Sequence, residues 1–72
     1  MAWTNFPAFS SSNIASIRYE GQQRILEVTF LNGGTYHYYD VPNSVVEDMK
    51  RAESKGVYLA STIKGHYRYS KV

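Results

Sequence analysis

The sequence predicts an α+β domain: a three-stranded antiparallel meander with one amphipathic helix packed on one face, a second short helix and a short C-terminal extended segment. Three observations carry that prediction. Apolar and polar residues alternate in successive runs up to Pro42, which is the period of half-buried strands. Asn32-Gly33 stands between two of these runs, the strongest short-range hairpin signal, because both residue types tolerate positive φ. After Pro42 the period changes, and Val45, Met49 and Ala52 recur at helical spacing.

Residues 1–11 read as a flexible leader, since Pro7 and the serines at 10–12 show no strand or helix period. Its Trp3, Phe6 and Phe9 are too many aromatics for a featureless tail, so at least one is expected to dock. A single domain then spans 12–72. The first strand places Ala15, Ile17 and Tyr19 inward and Ser16, Arg18 and Glu20 outward, and Gly21-Gln22 turns the chain. In the second, Leu26, Val28 and Phe30 face inward and Glu27 and Thr29 outward. The third is the stretch Gly34-Thr35-Tyr36-His37-Tyr38-Tyr39, with Tyr36 and Tyr38 on the inner face and His37 and Tyr39 on the outer one.

Pro42 ends that strand and opens a helix over about 43–53, whose polar side carries Glu47, Asp48, Lys50, Arg51 and Glu53, acids early and bases late. Ser54 and Gly65 bracket a second short helix as N-cap and C-terminal glycine. Tyr67 to Val72 alternates again as an edge strand or extended tail.

A chain of 72 residues makes one domain, and one this short buries only roughly 60% of its unfolded surface. Without cysteine there is neither a disulfide framework nor a thiolate metal site, so packing must hold the fold, with self-association as a further aid. No run of about 18 apolar residues and no secretory signal is present, so a soluble, cytoplasmic protein with no membrane partner is expected. The formal net charge of +2 is unevenly spread. Residues 55–72 hold Lys55, Lys64, Arg68 and Lys71 and no acid.

Five blocks in order, Ser11-Ser12-Asn13-Ile14, Leu26-Glu27-Val28-x-Phe30-x-Asn32-Gly33, Tyr36-x-Tyr38-x-x-Val41-Pro42, Ser54-x-Gly56-x-Tyr58 and Ile63-x-Gly65-x-Tyr67, resemble the KTSC domain. That family is named for the C-terminal domain of some lysyl-tRNA synthetases and also occurs as small bacterial and phage-associated proteins. The resemblance covers roughly residues 11–72 and places the family's Tyr-x-Tyr on Tyr36 and Tyr38. It implies no catalytic residues, and an RNA role only through the synthetase association.

Each chemical constellation has a plainer counterpart. Tyr36 and Tyr38 could stack bases, but their inward period reads first as core. His37 and Tyr39 on the outer face suit stacking or hydrogen bonding, or simply a solvated strand. The two histidines, His37 and His66, are too few for a metal site, and no nucleophile elbow or phosphate loop frames Asp40 and His37, so no enzyme, cofactor or metal is expected. Lys64-Gly65-His66-Tyr67-Arg68-Tyr69-Ser70-Lys71 interleaves cations with tyrosines, a pattern able to neutralise phosphates and present planar groups to unpaired bases. The nucleic-acid candidates are therefore Lys64, His66, Tyr67, Arg68, Tyr69 and Lys71, with His37 and Tyr39. A protein-interaction or oligomerisation module using Trp3, Phe6 and Phe9 is the alternative.

Overall fold

Five strands, not three, form the sheet in the computed structural model, which describes residues 2–72. Met1, the start of the expected leader, lies outside the described residues. The strands are β1 (Trp3–Asn5), β2 (Ile14–Glu20), β3 (Ile25–Phe30), β4 (Thr35–Tyr38) and β5 (Tyr69–Lys71), antiparallel throughout and in the order β1-β2-β3-β4-β5. The three expected strands are β2, β3 and β4, and the two additions are the edges. β5 is the expected extended segment, paired to β4. β1 comes from a stretch that the sequence assigned no regular element, because three residues are too few to display a period. Its Trp3 lies opposite Glu20 and Asn5 opposite Arg18.

Cross-strand register sets which side chains share the inner face. Tyr19, Leu26, Tyr38 and Tyr69 form one row across the sheet, and Ile17, Val28, Tyr36 and Lys71 form the next. Two local features revise the expected faces. A bulge between Ile14 and Ser16 leaves Ala15 as the extra residue, so Ile14 enters the core and Ala15 is exposed. Glu20, expected outward to solvent, is buried, and its Oε1 accepts from the backbone N–H of Gln22 at 2.7 Å and of Gln23 at 3.4 Å, closing the β2–β3 turn.

The β3–β4 turn is also wider than a two-residue Asn-Gly hairpin. Phe30 N–H donates to the Gly34 carbonyl at 2.8 Å and Gly33 N–H to the Phe30 carbonyl at 2.9 Å, which leaves Leu31, Asn32 and Gly33 as the loop. Only Gly33 takes positive φ, 98°, while the Asn32 side chain accepts from Gly34 N–H at 3.1 Å.

Helix α1 (Asn43–Arg51) starts after Pro42 and buries Val46 and Met49, with Val45 half-buried beside them. Ala52, assigned to the helix by spacing, is its C-cap, and Glu47 and Asp48 lie beyond the first turn, which holds no acid. They pair instead with Lys50 and Arg51 three residues on. The expected second helix is a single turn, α2 (Lys55–Tyr58), that runs straight into a π-helical turn (Leu59–Ile63). Ser54 caps α2 by accepting from Val57 N–H at 3.2 Å. Leu59 and Ile63 reach the core, which they share with Phe6, Ile14, Ile17, Tyr19, Leu26, Val28, Tyr38, Val41, Val46 and Met49. Phe30 and Tyr36, expected in that core, only border it.

A tyrosine-floored groove as candidate functional site

Burial of the inner face falls off toward the β4–β5 end, so each cross-strand row runs from buried to open. In the first row Leu26 and Tyr38 are buried and Tyr69 is 63% exposed. In the second, Val28 is buried, Tyr36 half-buried and Lys71 exposed. The uncovered end is a groove of about 1270 Å³, floored by Phe30, Tyr36, Tyr38 and Tyr69. The Asn32–Gly34 loop, Lys64-Gly65 and Lys71-Val72 form its rim.

The aromatic floor is continuous. Tyr36 and Tyr69 ring centroids are 6.0 Å apart, Tyr38 and Tyr69 5.9 Å, and Phe30 meets Tyr36 edge-on at 5.7 Å. Burial, with the Tyr36 and Tyr69 hydroxyls near it, pushes the Tyr38 hydroxyl above its usual 10.0, so it stays a neutral donor. Lys64 leaves the π turn with its Nζ 5.4 Å from the Phe30 ring centroid. No acidic side chain lines the groove, and neither Lys64 nor Lys71 is in a salt bridge among the described residues. Two cations and at least one open ring therefore face the same space, a combination that suits a planar anionic ligand.

The outer face is chemically the reverse, because its charges are already paired. Glu27 accepts from Arg18 and lies 2.9 Å from His37 Nε2, with Arg18 stacked 4.4 Å over the Trp3 ring and Trp3 5.6 Å from the His37 ring. The Arg18 hydrogen bond, aided by His37 and opposed by burial, holds the Glu27 carboxyl below its ordinary value. Arg68 pairs with Asp40 at 2.9 Å and lies 5.4 Å over the Tyr39 ring, whose hydroxyl hydrogen-bonds to Ser70.

Strand alternation thus divides the basic segment that the sequence presents as one run. Lys64, Tyr69 and Lys71 come together in the groove. Arg68 joins His37 and Tyr39 on the opposite face. Tyr67 packs half-buried against the core, and His66 is exposed in the turn after Gly65, its N–H on the Ile63 carbonyl at 3.1 Å. Lys55, the fourth cation of that quarter, caps α1 by donating to the carbonyls of Lys50 and Ala52 at 3.1 and 2.7 Å. Phe30 and Asn32 were missed as groove residues, and Tyr36 was read first as core. The inward period of Phe30 and Tyr36 was legible, but not where burial of that face ends, and Asn32 was read only as a turn residue. Among the described residues no three His, Asp or Glu side chains cluster to hold a metal, and no helix is long and apolar enough to cross a membrane.

The KTSC domain family model matches residues 10–67, a span that leaves both edge strands outside it. A crystal structure of a KTSC domain protein from Yersinia pestis superposes with a TM-score of 0.89 at 38% identity, covering 99% of each chain. An uncharacterised protein of Stutzerimonas stutzeri is 39% identical over 66 residues, 90% of this chain and 93% of its own length. A lysine–tRNA ligase of Trichormus variabilis is 38% identical over 61 residues, 85% of this chain but 11% of the ligase.

Proposed function

This chain belongs to the KTSC domain family, and from that premise we propose that it is a non-enzymatic module that binds RNA or another single-stranded nucleic acid in the groove over Tyr36 and Tyr69. The observation that carries the reading is that Lys64 and Lys71, in no salt bridge among the described residues, border the open Tyr69 ring and the half-buried Tyr36 in a groove lined by no Asp or Glu side chain among those residues. Cations already neutralised by an acid release little counterion on meeting a phosphate, which sets this face ahead of the Arg18–Glu27 and Arg68–Asp40 side. Relatives named as lysine–tRNA ligases make tRNA the first ligand to try, and a cytoplasmic setting belongs to the same proposal. The interaction-module alternative depended on free N-terminal aromatics. Phe6 is buried, Phe9 packs on the core and Trp3 is stacked on Arg18, which favours the groove instead.

The test is titration of the protein with tRNA and with single- and double-stranded oligonucleotides across a salt series. Lys64→Ala and Lys71→Ala each weaken binding on all sequences and reduce the log–log salt slope by about 0.7 for each single-strand phosphate no longer neutralised. Tyr69→Ala weakens single strands more than duplexes, because only unpaired bases can lie against a ring. Arg68→Ala leaves binding unchanged. No binding at low salt and about 100 µM protein, the weak end of ordinary non-specific association, removes the reading.

A further inference from the structure

A sheet that stops at β5 leaves the outer side of that strand unpartnered, and its bonds to β4 identify the free groups. The Arg68 carbonyl accepts from Tyr39 N–H and Val72 N–H donates to the Thr35 carbonyl, both at 2.9 Å. Antiparallel alternation then turns the N–H and C=O of Tyr69 and Lys71 away from β4. On the opposite edge Phe6 N–H donates to the Ile17 carbonyl at 3.0 Å, so Trp3 and Asn5 face outward, and the next outward position is Pro7, which has no N–H. Proline there stops pairing on that edge from extending beyond Trp3 and Asn5. β5 has no such stop.

The geometry points to β5 as the docking edge for a second copy of this chain, in an antiparallel pair centred on Ser70. In that register Tyr69 of each copy faces Lys71 of the other, and the two residues exchange both of their outward hydrogen bonds. Lysine on an edge discourages pairing with an arbitrary strand, but here each lysine falls beside an aromatic ring and not beside its own counterpart. Tyr69 and Val72, 63% and 61% exposed in the single chain, are the apolar surface that pairing covers. The two-fold operation closes on itself and stops at a dimer. The consequence for the site is direct: the grooves meet across the axis, and each gains the second copy's Tyr69 and Lys71. This surface does not depend on what the groove binds.

Sedimentation equilibrium between about 10 µM and about 1 mM tests it, since so short an edge makes a weak, small interface. The apparent mass doubles from 8.2 kDa with rising concentration. Lys71→Pro removes an N–H that faces away from β4, so it keeps the fold and abolishes the doubling, whereas Lys71→Ala retains it. A wild type that stays monomeric, a Lys71→Pro dimer, or mass growing without limit through β1-to-β5 pairing each overturns the proposal. Amide exchange of the wild type gives a readout without mutation. Exchange at Tyr69 and Lys71 slows several-fold with concentration while Trp3 and Asn5 do not change. Slowing at Trp3 and Asn5 instead, or nowhere, overturns it as well.

Discussion

Arg24 and Asp40 hold left-handed backbone, with φ of 57° and 60°, in two loops that touch where Val41 N–H donates to the Arg24 carbonyl at 3.0 Å. For a residue with a Cβ that conformation costs about 1–2 kcal/mol, partly offset in glycine by the greater freedom of its unfolded chain. Arg24 is exposed and its side chain forms no ion pair among the described residues, so Arg24→Gly should raise stability by about 0.5–1 kcal/mol, read as a higher urea midpoint at unchanged slope. Glu27 supplies a pH dependence. Its carboxyl is depressed below the ordinary 4.5, first by the Arg18 hydrogen bond. A folded value below the unfolded one means that the stabilisation is complete above 4.5 and fades as the pH falls from there through the depressed value. Glu27→Gln should therefore flatten the acid side of a stability-versus-pH curve below that point and lower the plateau above it. Neither feature was legible in advance. The alternation of Arg18 and Glu27 put both on the outer face, but their pairing depends on β2–β3 register, and nothing in the residue type of Arg24 signals positive φ.

At the scale of elements, three strands and the main helix were readable because each shows at least two full periods of its own pattern. Of the edges, Tyr69–Lys71 was legible as an edge strand or extended tail but not in its pairing, and Trp3–Asn5 was not legible, since each spans three residues and owes its conformation to the strand it pairs with. The second helical segment was readable only at its caps, Ser54 and Gly65. Between them the chain leaves the α geometry, with Lys64 N–H reaching five residues back to the Leu59 carbonyl at 2.8 Å. That wider turn brings Lys64 to the groove while Leu59 and Ile63 stay in the core. The Ser54 cap is the handle on this segment: Ser54→Ala should cost about 1 kcal/mol and raise amide exchange from Val57 to Lys64 more than in β3. The candidate site was half legible for the same reason. Lys64, Tyr69 and Lys71 were singled out by composition, whereas their separation from Arg68, His37 and Tyr39 follows from a β5 pairing that composition does not encode.

For the molecule as a whole, a core of twelve buried apolar side chains among the described residues must hold a chain of 72, so each member matters. Phe6 is one of them, drawn in from a stretch read as a leader and 8% exposed beneath Lys50. Phe6→Ala should cost about 3–5 kcal/mol, comparable with the whole stability of a small domain, so the variant, or a chain lacking β1, is expected to lose its urea transition. Strand order has a further result, in time. β2, β3 and β4 are joined by short turns and can zip up from local contacts, but β5 joins β4 only after residues 39–68 have been gathered between them. Closing the longer loop carries the larger entropic cost, and contacts of that span form late. In a pulse-labelled refolding experiment the amides of Leu26 and Val28 should gain protection before that of Ser70. The tyrosine groove then completes itself last on folding and is the first part to open when the protein unfolds.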